Sequence, residues 1–135
     1  EVSGLLSEME LEFLETTLDF FKHDVKIRNV LICLHHNPIK MKDSWYEDIG
    51  LQNRLDFFDA IKKFSKVRCL VFGHLHQELD LEYKGIRLLC TPSTCTQFLP
   101  NARNFKLDRS NPGYRRLQLH KDGGIDSEVI RLKDI

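Results

Sequence analysis

Two short apolar runs constrain the fold of this chain more than any other feature. They are Val30-Leu31-Ile32-Cys33-Leu34 and Val67-Arg68-Cys69-Leu70-Val71-Phe72. Continuous runs of this length, bounded by polar residues, suit strands buried on both faces of a sheet. His35-His36-Asn37-Pro38 ends the first run, because proline disfavours continuation, and Gly73 ends the second. Between them Leu51 to Phe64 reads as a helix, with Leu51, Leu55, Phe58 and Ile61 or Ala60 on its apolar face. Strand, helix and strand in this order predict a right-handed βαβ crossover with two parallel strands.

The flanks follow from local chemistry. Ser7 and Glu10 fit a capping box, and Leu11, Leu14, Leu18 and Phe21 then recur at helical spacing until His23 and Asp24. Residues 39 to 50 read as a loop with Trp45 and Tyr46 at its centre. Leu79 to Tyr83 and Ile86 to Cys90 flank Lys84-Gly85, a hairpin signal. Thr91 to Pro112 shows no clear period. Tyr114 to His120 and Ile125 to Leu132 flank the turn Lys121-Asp122-Gly123-Gly124. The order is therefore α, β, α, β and then an antiparallel meander, with residues 1–135 read as a single domain.

Composition narrows the function classes. The 135 residues are 41% hydrophobic, with 20 basic and 20 acidic side chains. That is enough apolar matter for a core, and the zero net charge argues against a nucleic-acid polymer as partner, a local patch aside. No apolar run approaches the roughly 20 residues of a membrane helix, and residues 1 to 22 do not read as a signal peptide. Cys33, Cys69, Cys90 and Cys95 form no CxxC pair and read as buried, reduced thiols of a cytoplasmic protein.

The six histidines carry the chemistry. His35 follows the first predicted strand; His74 and His76 follow the second. Both strand ends fall on one edge of a parallel sheet, where open α/β sheets bind ligands. Neighbouring strands lie about 4.8 Å apart, so imidazoles from both ends can converge on one ion at contacts of about 2.0–2.1 Å. Gly73 is expected to let the backbone bend just before His74, and Leu75 to point back into the core while His74 and His76 face the site.

These residues also carry a resemblance. Leu34-His35-His36-Asn37-Pro38 resembles the HHxP motif of calcineurin-like metallophosphoesterases, and Gly73-His74-Leu75-His76-Gln77 resembles their GHxH motif. Thr91-Pro92-Ser93-Thr94-Cys95-Thr96-Gln97-Phe98, followed by Asp108 and Pro112-Gly113-Tyr114-Arg115, is similar to the bacterial 3′,5′-cyclic-AMP phosphodiesterase subfamily. The resemblance runs from about Gly4 to Leu132. It implies an α/β fold, the carboxyl-terminal half of the metallophosphoesterase αββα sandwich, with two parallel strands leading into an antiparallel meander. It also implies metal-dependent hydrolysis of a phosphodiester, with a cyclic nucleotide, 3′,5′-cyclic AMP, as substrate, by a two-metal-activated hydroxide, with iron and manganese or zinc as the two divalent ions. His35 and His74 would bind one metal and His76 the other. His36, Asn37 and Gly73 would lie behind the ligands, and Thr94 and Gln97 at the substrate rim.

The family's Asp-x-His, Gly-Asp and Gly-Asn-His/Asp motifs occur nowhere in the 135 residues. The chain therefore reads as the carboxyl-terminal part of a longer phosphodiesterase, inactive alone, with no certain catalytic residue of its own and at most one weakly held ion. Its exposed strand edges predict a homodimer. A different phosphodiester substrate, or a non-catalytic interaction module, are the alternatives. Ser93, Thr94 and Cys95 have no identifiable base beside them. Arg103, Lys106, Arg109, Arg115 and Arg116 read as a solvated basic face, and Trp45 and Tyr46 as packed aromatics or as a stacking surface for a base.

Overall fold

A computed structural model describes residues 3–41 and 44–133. Helix α1 spans Glu8–His23. Its start has the expected reciprocal cap: the Glu10 backbone N–H donates to the Ser7 hydroxyl, and the Ser7 backbone N–H donates to the Glu10 carboxylate at 2.7 Å. Leu18 is buried, and Leu11, Leu14 and Phe21 pack against the core as their spacing predicts. Strand β1 (Val30–Leu34), helix α2 (Arg54–Ile61) and strand β2 (Val67–Phe72) then form the crossover, with β1 and β2 parallel.

Helix α2 is shorter than the apolar pattern suggests; Leu51, Phe58, Ala60 and Ile61 are buried as expected, and Leu55 alone departs from the expected face. Leu55 is 67% exposed, while Phe57, Phe58, Ala60 and Ile61 are all buried. Phe57 joins that buried side, and its ring buries more apolar area than Leu55 could.

Strands β3 (Leu79–Tyr83) and β4 (Ile86–Cys90) form the predicted hairpin. Lys84 and Gly85 both take positive φ, 52° and 76°, the backbone of the tight turn that matches strand twist. β4, rather than β3, lies beside β2 and runs parallel to it, so the sheet order is β1-β2-β4-β3. The meander thus begins inside the main sheet, and β1 and β3 are its edges.

The helices cover one face of this sheet. Leu18, Phe57, Phe58 and Ile61 join Val67, Leu70, Phe72, Leu88 and Cys90 in a single apolar cluster. The long hairpin of β7 (Gly113–Leu119) and β8 (Ile125–Arg131) forms a separate two-stranded sheet. It is tied back by Arg115, which donates to the Leu79 and Cys90 carbonyls, and by Arg87, which donates to the Ile125 carbonyl. Between β4 and β7 a two-residue ladder joins β5 (Gln97–Phe98) to β6 (Leu107–Asp108). Among the described residues no helix is long and apolar enough to cross a membrane.

The thiols differ from expectation. Cys69 and Cys90 are buried, but Cys33 and Cys95 are exposed. β1 is an edge strand and Cys33 projects from it into solvent, so the run 30–34 is not buried on both faces. Burial pushes the Cys69 thiol up to about 11 and the Cys90 thiol up to about 12. A thiol-disulfide reagent at pH 8 is therefore expected to label two cysteines quickly in the native protein and the other two only on unfolding. Four equally fast thiols would contradict this burial.

Candidate metal centre

The carboxyl ends of β1 and β2 bring three imidazoles together. One ligating atom each from His35, His36 and His74 lies within 4.8 Å of the others. His74 Nδ1 is 3.2 Å from His35 Nε2. The His36 ring lies 4.5 Å from that of His74 and 4.9 Å from that of His35, centre to centre. His76 lies outside this group and makes its own contacts. Its Nδ1 is 2.8 Å from the Thr96 carbonyl, and its ring stacks on Phe98 at 4.1 Å with an interplanar angle of 11°.

The turn that presents these rings is strained. The Leu75 N–H donates to the Gly73 carbonyl at 2.7 Å, closing a three-residue turn around His74. His74 has φ 62° and His76 φ 49°. The left-handed backbone therefore falls on the histidines and not on Gly73, contrary to the sequence expectation. A Cβ at Gly73 would meet nothing closer than 3.7 Å. Left-handed non-glycine residues cost about 1–3 kcal/mol each and persist where surrounding structure over-determines them. Here Leu75 supplies that constraint: it is fully buried between the two histidines, as expected.

Two glycines shape the other side of the site. A Cβ on Gly4 would lie 2.4 Å from His36 Nδ1, and one on Gly50 would lie 2.6 Å from Asn37 Nδ2. The segments carrying them pair with each other, since the Gly4 N–H donates to the Gly50 carbonyl and the Gln52 N–H to the Gly4 carbonyl. Asn37 is 1% exposed, and its side-chain N–H donates to the Ile39 carbonyl at 2.8 Å. Nothing local in the sequence marked Gly4 or Gly50.

Other expected rim residues are placed differently. Gln97 is buried, and its carboxamide is engaged within its own loop, accepting from the Ser93 N–H at 3.0 Å and donating to the Ser93 carbonyl at 2.8 Å. It holds the loop and is not free for substrate. Thr94 is exposed on that loop. Trp45 packs edge-on against Phe98 and Phe105, and Tyr46 is wholly buried. The basic cluster disperses: Arg115 is half-buried in its clamp, and Arg116 pairs with Glu128.

The donor set suits a soft or borderline divalent ion. His74 Nε2 is buried and makes no hydrogen bond in the structure. Burial, aided by the neighbouring rings of His36, His35 and His76, pushes the His74 pKa down from 6.5 to about 4, while the Ile49 backbone opposes this. His74 is therefore neutral at pH 7, the form a ligand needs. Among the described residues no carboxylate joins the group. A cleft of about 510 Å³ lies at the other end of β1, lined by Lys26, Arg28, Arg68 and Lys121. The histidines sit on an open edge, and it is their donor chemistry that marks the site.

The depressed pKa has a consequence for stability. Between pH 6.5 and about 4 the unfolded chain binds a proton at His74 that the folded chain does not. Stability of the metal-free protein is therefore expected to fall as pH is lowered through that window. Asp80, paired with Arg87, and Asp108, bonded to Ser110, are held below the usual carboxylate range, so their contributions are lost at lower pH. Urea midpoints at pH 7, 5.5 and 4.5 with EDTA present measure the slope. His74→Asn should flatten it, and an unchanged slope would remove His74 as its source.

The fold, with its histidines at the carboxyl ends of β1 and β2, is similar to that of a solved dimetal phosphatase. The crystal structure of a dimetal phosphatase from Danio rerio matches with a TM-score of 0.56 at 18% identity, covering 93% of this chain and 38% of that one. No protein-family model matches the chain. In sequence, the chain is similar to bacterial proteins named as cyclic-AMP phosphodiesterases. It is 47% identical over 131 residues to the 3′,5′-cyclic adenosine monophosphate phosphodiesterase CpdA of Escherichia coli K12, covering 97% of this chain and 46% of that protein. It is 39% identical over 134 residues to the CpdA of Pseudomonas aeruginosa, covering 99% and 48%. The chain thus spans about half the length of the curated relatives it matches.

Proposed function

We propose that this chain contributes part of a divalent-metal phosphodiesterase centre whose substrate is a 3′,5′-cyclic nucleotide. The observation that carries the reading is the meeting of His35, His36 and His74 at one sheet edge, with a buried, unpartnered nitrogen on His74. The relatives' names supply the substrate class. His35 and His74 would hold one ion and His76 a second, with iron and manganese or zinc as the pair. His36 would support the ligands from behind, wedged against Gly4. The ions would supply Lewis-acid polarisation of the phosphate and a nucleophile at neutral pH.

The chain's own part is to hold neutral imidazoles in fixed directions. Desolvation keeps His74 unprotonated, the Thr96 carbonyl keeps the His76 proton on Nδ1, and buried Leu75 anchors the turn between them. The chain brings no Asp-x-His, Gly-Asp or Gly-Asn-His/Asp motif. Turnover would therefore need carboxylate and amide ligands that these residues do not provide.

The test is a hydrolysis assay with 3′,5′-cyclic AMP and bis(p-nitrophenyl) phosphate, with added manganese or zinc. This chain alone should give no turnover. A longer protein joining it to the missing motifs should be active and lose at least about 100-fold activity with His35→Ala, as expected for loss of a metal ligand. An active His35→Ala protein would sink the assignment.

A further inference from the structure

We propose that Phe98 is a positioning residue for the His76 imidazole, acting with the Thr96 carbonyl as a two-point clamp. Two residues of one short segment grip the ring from different directions. A carbonyl oxygen can only accept, so the 2.8 Å contact to Thr96 places the proton on His76 Nδ1 and leaves the Nε2 lone pair available. Phe98 covers one face of the ring in near-parallel stacking, at 4.1 Å and 11°. The hydrogen bond alone still allows the ring to tilt about its axis; the stacked phenyl removes that freedom.

The clamp is itself held. Phe98 pairs with Leu107 in the β5–β6 ladder. Trp45 and Phe105 meet the Phe98 ring edge-on, at 5.3 and 5.4 Å. Gln97, between the two clamping residues, spends its buried carboxamide on Ser93. The residue after His76 is tied down separately: Gln77 donates to the Tyr46 hydroxyl at 2.8 Å, and the same hydroxyl accepts from the Asn101 N–H. Tyr46 and Trp45 thus brace both sides of His76 from one loop. The need for bracing is visible in the backbone, since His76 has φ 49° and would otherwise relax. A ring in the correct tautomer and direction before an ion arrives loses less freedom on binding, and outer partners of metal-binding histidines are typically worth about 10–100-fold in affinity.

This inference rests on His76 as a metal ligand, and its test separates the two. Long-range 15N–1H spectra of the metal-free chain read the His76 tautomer directly. The wild type and Phe98→Tyr should show one Nδ1–H form. Phe98→Leu should show a tautomer mixture and a broadened ring, with His35 and His74 resonances unchanged as a control for folding. If Phe98→Leu perturbs those resonances, Phe105→Leu, which removes only the outer support, should still shift the His76 ratio in the same direction. Titration with Zn2+, followed at His76 Nε2, should then need about tenfold more metal in Phe98→Leu and wild-type amounts in Phe98→Tyr. A single Nδ1–H form with unchanged zinc response in Phe98→Leu overturns the proposal. No zinc response at His76 in the wild type overturns the ligand assignment, and the tautomer ratio then decides the positioning role by itself.

Discussion

His74→Asn is expected to abolish stoichiometric divalent-metal binding while leaving the fold intact. Asparagine suits the test for a structural reason. His74 has φ 62°, and asparagine is among the few residues that accept left-handed backbone readily. The exchange therefore keeps the turn around Leu75 and removes the imidazole whose Nε2 is buried without a partner. It also removes like-charge crowding at low pH, since His35 and His36 both lie against that ring. Equilibrium dialysis against zinc, with elemental analysis, should find about one ion per wild-type chain and a loss of at least ~100-fold in affinity in the variant, more than the loss of an outer partner brings. Thermal unfolding in EDTA should show the variant as stable as wild type or more so, because a strained histidine has been exchanged for a tolerant residue. A variant whose His35 ring still responds to zinc at wild-type concentrations would show that the three rings cluster for packing alone.

How much of this was legible in the sequence depends on whether the signal is local. The Ser7–Glu10 cap, the Leu11-Leu14-Leu18-Phe21 stripe and the Lys84-Gly85 turn involve residues a few positions apart, and each stands where its pattern puts it. So do the two strand ends that carry His35 and His74, because βαβ handedness brings distant residues to one edge by rule. The neighbours of those histidines had no such rule. Gly4 is far in sequence from His36 and Gly50 from any histidine, and only the pairing of the two glycine segments places them under the site. The strained φ of His74 was concealed by the preceding Gly73, the residue to which flexibility is naturally ascribed. On helix α2 only Leu55 was misread, because the neighbouring Phe57 and Phe58 take the buried side and leave Leu55 outside it, while Leu51, Phe58, Ala60 and Ile61 are buried as their spacing predicts. Cys33 was misread because burial of a β1 residue depends on what lies beside the strand, and β1 is an edge.

Arg115→Met is expected to cost the most stability of any exchange at a half-exposed position, about 3 kcal/mol. As a residue of β7 it first reads as one more charge in a basic cluster. In the structure its guanidinium spans two sheets. Nη2 donates to the Cys90 carbonyl at 2.7 Å and to the Leu79 carbonyl at 3.0 Å, Nε donates again to Cys90, and Nη1 reaches the Ser127 hydroxyl. Leu79 and Cys90 are register partners in the β3–β4 hairpin, so one side chain closes the end of that ladder and docks the β7–β8 hairpin on it. Methionine keeps much of the apolar stem but leaves these carbonyls without their charged donor, and Cys90 is fully buried. Hydrogen bonds to charged groups contribute about 1.5–3 kcal/mol each, and a buried acceptor stripped of its partner costs a similar amount. Lysine should rescue little, because a single ammonium cannot reproduce a planar fork aimed at three oxygens. The effect should extend to the metal edge. Cys90 is followed directly by the loop that carries Thr96 and Phe98, so loosening its carbonyl frees the segment that grips His76. Urea unfolding measures the stability loss, and the His76 tautomer ratio in Arg115→Met measures the coupling. A variant within about 0.5 kcal/mol of wild type would show that the hairpin docks through apolar contact and that Arg115 is a bystander to it.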